Sequence, residues 1–261
     1  MKKFFSKFKL WELIWIPLSL VLITGAWLLE YFLTPVDMRD TIVWQIIYFI
    51  ATFTGMLCVV LTSGKRWVQW IVGLINIAGF IALYWHWQLY GNFALNLGFY
   101  IPASIVGIIY WLKNRDTKDT CHVRELSKKN KIIMAIASVV SLVVIAIPLS
   151  YLDRSAGELW TFVGFLDSAG TVLGIIGQVL SNLRYTEQWW VWIILDVVMA
   201  ILNFVIGSYA MGVMYILWTT NAVIGLIVWH KSAKKDAELS AQSVQIENLD
   251  GQKEGEENET K

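Results

Sequence analysis

Long apolar stretches separated by short polar connections fill most of this chain. Runs of about 20 apolar residues, the length that crosses the hydrocarbon core of a bilayer, fall at 11–33, 41–62, 67–85, 90–112, 131–151, 159–181, 188–207 and 209–230. Backbone amides in lipid must find partners within their own segment, so these runs predict helices rather than strands. The pattern predicts an all-α polytopic membrane protein with eight transmembrane helices. The first run follows MKKFFSKFK, but it is longer than the roughly 7–15 apolar residues of a signal peptide and lacks a small-x-small cleavage site. It reads as a retained helix.

Charge adds orientation. Only 16% of residues are charged, against about 25% in soluble domains, and the basic ones gather in alternate connections. Lys2, Lys3, Lys7 and Lys9 precede the first helix, Lys65 and Arg66 follow the second, and Lys113, Arg115, Lys118, Arg124, Lys128, Lys129 and Lys131 follow the fourth. Arg184 follows the sixth helix, and Lys231, Lys234 and Lys235 follow the eighth. By the positive-inside rule both termini are expected in the cytoplasm. These charges are topological, so the expected surroundings are a lipid bilayer and not nucleic acid. Cys58 lies in an apolar run and Cys121 in the basic loop, which argues against a disulfide. The polar, mostly acidic segment 231–261 is expected to be a disordered tail.

The apolar runs repeat. KRWVQWIVG at 65–73 and EQWWVWIIL at 187–195 share a W-x-x-W step, Trp67 with Trp70 and Trp189 with Trp192. NLGFYIPASIVGIIYWLKN at 96–114 aligns without gaps on MYILWTTNAVIGLIVWHKS at 214–232, which sets Tyr100 opposite Trp218, Gly107 opposite Gly225 and Trp111 opposite Trp229. The implied organisation is an N-terminal segment and extra helix (1–40), a three-helix unit (41–112), a basic loop and connector helix (113–158), a second three-helix unit (159–230) and the tail (231–261). Parallel repeats of this kind are one of the layouts of secondary transporters, with the site at the repeat interface.

Polar residues then mark faces. The sixth run places Asp167, Thr171, Gly174, Gln178 and Asn182 on one helical stripe, and the fourth does the same with Asn92, Asn96, Tyr100 and Ser104. The second gives Trp44, Tyr48, Thr52 and Gly55, the seventh Trp189, Trp192, Asp196, Met199 and Asn203, and the eighth Tyr215, Trp218 and Asn221. A single Asn or Thr on a membrane helix is ordinarily interhelical glue, and Gly170 with Gly174 reads as close helix packing. Five stripes bearing amides and aromatics together predict a lined cavity. Asp167 and Asp196 sharpen this, because a carboxylate within a membrane helix costs about 2.5–3.5 kcal/mol on insertion scales and marks function by default. Negative charge with tryptophan faces suits a flat, neutral or cationic solute bearing hydroxyls or amides. His86, His122 and His230 have no Cys or carboxylate at ligand spacing, and no phosphate loop or catalytic triad is present, so no enzyme, metal or cofactor is expected.

The order of these features, with WQLYGN at 87–92, N-x-x-x-Y-x-P-x-x-x-x-G from Asn96 and W-x-x-W-x-x-x-D from Trp189, resembles the PnuC family of nicotinamide riboside transporters over roughly 41–230. The resemblance implies a SWEET-like 3+1+3 core in the bacterial inner membrane. It also implies facilitated diffusion of nicotinamide riboside by alternating access, with trapping by a cytoplasmic nicotinamide riboside kinase. Carried over residue by residue, it implies substrate contacts from Gln88, Asn96, Tyr100, Trp192, Asp196, Trp218 and Asn221, with Gln88 at the outer mouth. Tyr48, Thr52, Asp167, Thr171, Gln178, Asn203 and Tyr215 complete the expected cavity lining. Thiamine, riboflavin or a sugar remains an alternative cargo, and a non-transporting scaffold recruiting partners through 113–130 and the tail is the alternative of another class. A homo-oligomer is compatible with all of these.

Overall fold

A computed structural model describes residues 10–115, 120–148, 162–205 and 209–259. The expected cytoplasmic segment before residue 10 and Lys118 lie outside them. Eight helices among the described residues are long and apolar enough to cross a membrane. They are α1 (Leu10–Leu33), α2 (Ile42–Ser63), α3 (Gln69–His86), α4 (Tyr90–Lys113), α5 (Lys128–Ala146), α6 (Phe162–Asn182), α7 (Gln188–Val205) and α8 (Tyr209–Glu259). The described residues form no sheet, only three isolated bridges between connections.

Contacts close α2, α3, α4, α6, α7 and α8 into a ring in which each helix touches its two neighbours. α1 lies outside the seam between α2 and α8, and α5 lies outside against α6. Their outward faces carry apolar side chains such as Leu29, Phe32, Ile133 and Val144, which only lipid can cover in a membrane.

Three connections use the same stop. Lys65, Gln88 and Arg184 have φ of 62°, 58° and 62°, and each is the left-handed residue of a Schellman cap. Arg66 N–H donates to Leu61 O, Leu89 N–H to Tyr84 O and Tyr185 N–H to Leu180 O. A side chain in this conformation costs about 1–2 kcal/mol where glycine costs nothing. Two of the three repay it with contacts of their own, since Lys65 Nζ donates to Ser232 Oγ (2.5 Å) and Arg184 Nη1 to the His122 carbonyl (2.8 Å).

Below the turns at Lys65 and Arg184, tryptophans meet glycines. A Cβ on Gly107 would lie 2.5 Å from the Trp70 ring, and one on Gly225 would lie 2.5 Å from the Trp189 ring. Trp111 Nε1 donates to Ser181 O (3.0 Å) and Trp229 Nε1 to Thr62 O (2.9 Å), so α4 is tied to α6 and α8 to α2. These four tryptophans form the main buried cluster of the protein. Gly225→Ala forces a methyl into a rigid ring, and overpacking of this kind costs about 1–3 kcal/mol; it should lower the melting temperature of the purified protein.

The segment expected to be a disordered tail is helical instead, since α8 continues unbroken to Glu259. Alanine, glutamate, glutamine and lysine dominate the start of this extension, and all are good helix formers that simply continue a helix already nucleated.

α1 is docked by a buried ion pair. Arg66 Nε and Nη2 donate to the two Glu12 carboxylate oxygens at 2.8 and 2.9 Å, with Glu12 fully buried and Arg66 nearly so. A Cβ on Gly64 would overlap a Glu12 oxygen, so the turn approaches the carboxylate in a way that glycine alone permits.

Candidate functional site

A cavity of about 390 Å³ lies inside the helix ring, within the roughly 300–1,000 Å³ of small-molecule sites. All six ring helices line it, whereas α1 and α5 contribute nothing. α6 supplies the stripe expected from sequence, including Asp167, Thr171 and Gln178. Its glycines are points of close packing against the neighbouring helices, as expected of Gly170 and Gly174. A Cβ at Gly170 would meet the Met199 sulfur (2.6 Å), at Gly174 the Tyr100 hydroxyl (2.6 Å) and at Gly177 the Trp192 indole (3.0 Å). The bare backbone of α6 thus lets side chains from α4 and α7 lie flat along one wall.

Asp196 is 6% exposed and stands on the cavity wall with no hydrogen-bond partner among the described residues. Near it Trp192 donates its Nε1 to Gln188 Oε1 (3.4 Å), and the Tyr215 and Trp218 rings meet edge to face at 4.9 Å. Asn96 Nδ2 donates to the Asn92 carbonyl (2.8 Å) and Asn76 Nδ2 to the Ala51 carbonyl (2.6 Å). Each amide is thereby oriented with its side-chain oxygen left to accept from a ligand. α4 passes Asn96–Tyr100 through a π-helical turn just before Pro102, a local widening frequent at functional sites. Among the described residues the lining holds two aspartates and no Lys, Arg or His.

Of the seven residues expected to touch substrate, Asn96, Tyr100, Trp192, Asp196 and Trp218 line this cavity. Gln88 does not, because it is exposed as the left-handed cap between α3 and α4. Asn221 is fully buried beside the lining Ala222 and donates to Ser63 Oγ at 3.0 Å, so it faces α2 instead. Among the wider lining set, Asp167, Thr171, Gln178 and Tyr215 are present, whereas Tyr48, Thr52 and Asn203 are not. Tyr48 and Thr52 border a crevice beneath α1, where the Tyr48 hydroxyl meets the Met211 sulfur at 2.9 Å. Asn203 Nδ2 bonds the Met199 carbonyl of its own helix. Sequence reasoning missed the wall from α3, where Asn76, Phe80 and Tyr84 lie at four-residue steps, a spacing that carried the signal.

At the ring end opposite the basic connections, Asp40 ties the α1–α2 linker to the end of α3. It accepts from Trp87 Nε1 (2.9 Å) and pairs with His86 Nε2 (2.8 Å), while His86 stacks on Trp44 at 4.1 Å. Partial burial pushes the Asp40 carboxyl up, but the bonds from Trp87 and His86 and the His86 charge outweigh it and hold the group below its ordinary value. A lowered folded value means that the contribution is complete above the usual carboxylate value of about 3.9 and is lost as pH falls through the lowered one. Asp40→Asn should therefore flatten the fall of melting temperature below about pH 4.

The family model described as nicotinamide mononucleotide transporter matches residues 45–231, nearly the whole ring. The nicotinamide riboside transporter PnuC of Neisseria mucosa is 30% identical over 194 residues, covering 71% of this chain and 72% of that one. The chain belongs to the PnuC family. PnuC of Haemophilus influenzae is 27% identical over 237 residues, covering 90% of this chain and 96% of the relative. The crystal structure of the vitamin B3 transporter PnuC superposes with a TM-score of 0.64 at 28% identity, covering 87% of this chain and 94% of that one. A PnuC protein is a multi-pass membrane transporter and not an enzyme.

Proposed function

We propose that this chain carries nicotinamide riboside across the bacterial inner membrane by facilitated diffusion with alternating access. In this reading the basic end and both termini face the cytoplasm, a cytoplasmic nicotinamide riboside kinase traps the product, and residues 41–112 and 159–230 are two copies of one unit that rock against each other. The observation that carries it is the composition of the lining, which sets Asp196 beside the Trp192 and Trp218 rings with no Lys, Arg or His among the described lining residues. Nicotinamide riboside is a cationic pyridinium with a carboxamide and a ribose. Trp192 and Trp218 offer faces to the pyridinium, Asn76 and Asn96 accept from the carboxamide, and Asp196 takes a ribose hydroxyl or the positive charge.

The relatives are named for the riboside and the family description for the mononucleotide. The lining favours the riboside. A phosphate monoester brings about −1.5 to −2 charges at neutral pH, and here it would meet the carboxyl group of Asp196, with no Lys, Arg or His among the described lining residues.

Calorimetric titration of the purified protein against the riboside, its mononucleotide, thiamine, riboflavin and glucose tests the choice. Saturable binding is expected for the riboside, and tighter binding of any other compound overturns the assignment. Uptake into proteoliposomes should be saturable and indifferent to proton and sodium gradients. Accumulation driven by either gradient would refute facilitated diffusion.

A further inference from the structure

Residues 120–127 of the basic loop after α4 form a strap across one end of the helix ring. Its first part is anchored beside α4, where Cys121 N–H donates to Lys65 O (2.9 Å), His122 N–H to Asn114 O (3.1 Å) and Cys121 Sγ to Trp111 O (3.3 Å). Its second part sits on the turn before α7. Arg124 N–H donates to Arg184 O (3.1 Å), Arg124 O accepts from Thr186 N–H (3.0 Å), and Leu126 N–H points at both Glu187 oxygens (3.2 Å each). The Arg124 guanidinium also covers the Tyr185 ring at 4.3 Å. Between these anchors Cys121 and Val123 are 1% and 4% exposed, wedged into the cluster of Trp70, Trp111, Trp189 and Trp229. Trp70 and Trp189 belong to both that cluster and the cavity lining, so the strap backs the cavity floor.

The layer under the strap is short of partners. Gln69, Gln188, Asn182 and Asn221 are all more than nine-tenths buried. Among the described residues Gln69 Nε2, Gln188 Nε2, Asn182 Oδ1 and Asn221 Oδ1 have no hydrogen-bond partner, and neither do the indole nitrogens of Trp70 and Trp189. Buried polar atoms in this condition disfavour the closed arrangement, and contact with water or a polar solute relieves them. A sealed floor made of unsatisfied amides is stable only while something outside holds it shut.

We propose that the seating of residues 124–126 on residues 184–187 is the latch of the gate at the basic end, and that its release opens the floor and lets the amides take up the passing solute or water. This rests on the transport reading, because a gate has meaning only if the cavity empties at that end. The strap belongs to the end of α4 and the turn after α2 through the first set of bonds, so opening separates the second set and, with it, the Arg184 bond to the His122 carbonyl. Arg124 and Tyr185 are neighbours across a parallel bridge and supply a direct test.

The variant Arg124→Cys with Tyr185→Cys, in a background of Cys58→Ala and Cys121→Ser, is oxidised to a disulfide in proteoliposomes. Oxidation should reduce riboside uptake about tenfold or more, as expected when a gating step becomes limiting, with dithiothreitol restoring it. Riboside binding to the same oxidised protein should persist. Unimpaired uptake with the cross-link formed overturns the latch. Failure of the unsubstituted protein to bind or transport the riboside overturns the transport reading, and the latch with it. A second measurement covers a pair that does not close. In Cys58→Ala protein the buried Cys121 reports opening, and Glu187→Gln should speed its alkylation by N-ethylmaleimide several-fold; an unchanged rate also overturns the latch.

Discussion

Replacing Asp196 with asparagine should weaken nicotinamide riboside binding by about 10- to 100-fold, since a hydrogen bond to a charged partner contributes about 1.5–3 kcal/mol and each 1.4 kcal/mol is a factor of ten. The carboxylate is nearly buried and unbonded within the protein, so its interactions are reserved for what enters the cavity. The effect should follow the charge of the cargo. The reduced dihydro form of the riboside has the same ribose and carboxamide without the positive charge, and its weaker binding should change far less. Equal losses for both forms would place Asp196 on the ribose and leave the cation to the tryptophans. Titration of the two forms against parent and variant separates these outcomes.

The largest loss of stability is expected from Glu12→Ala. Removing one partner of a buried ion pair typically costs about 3–5 kcal/mol, because the remaining charge stays in a place without water. Here that charge is the Arg66 guanidinium, 7% exposed under α1. Denaturation of the variant in detergent should show the deficit, and Glu12→Leu combined with Arg66→Met should recover much of it. A double variant as unstable as the single one would mean that the pair contributes through other contacts. The same bridge explains why α1 accompanies a ring to whose cavity it adds nothing.

The eight spans were legible because continuous apolar length is a strong signal that needs no partner to interpret. The lining was legible where polar residues recur on one stripe, as Asp167, Thr171 and Gln178 do on α6. It failed where the stripe alone was followed too far. Asn221 is three residues from Trp218, near enough in angle to share its face, yet it turns toward Ser63 of α2. Asn203 keeps the angle of Asp196 but lies two turns farther along α7, where it bonds its own helix. Spacing gives direction around a helix, and depth depends on where the neighbouring helices cross.

Gln88, expected at the outer mouth, is exposed at the turn between α3 and α4 and lies outside the cavity lining. Its amide drew attention to the side chain, while the position is set by its backbone in a left-handed cap. The Glu12–Arg66 pair escaped notice because 54 residues separate partners that only packing brings together. The aligned positions Asn96 and Met214 show what the alignment could not reveal. Asn96 faces the cavity, whereas Met214 is buried with Ile23 of α1 and Met56 and Val60 of α2.

A cavity with carboxylates and no cationic side chain has an electrical consequence. If Asp196 stays with the protein while the riboside crosses, each passage moves one net positive charge inward. A potential of 100 mV, negative inside, supplies about 2.3 kcal/mol per charge, enough for roughly 50-fold accumulation at equilibrium. A carrier coupled to no ion gradient would still draw on the voltage of the membrane, and a potassium diffusion potential imposed on proteoliposomes would read that directly.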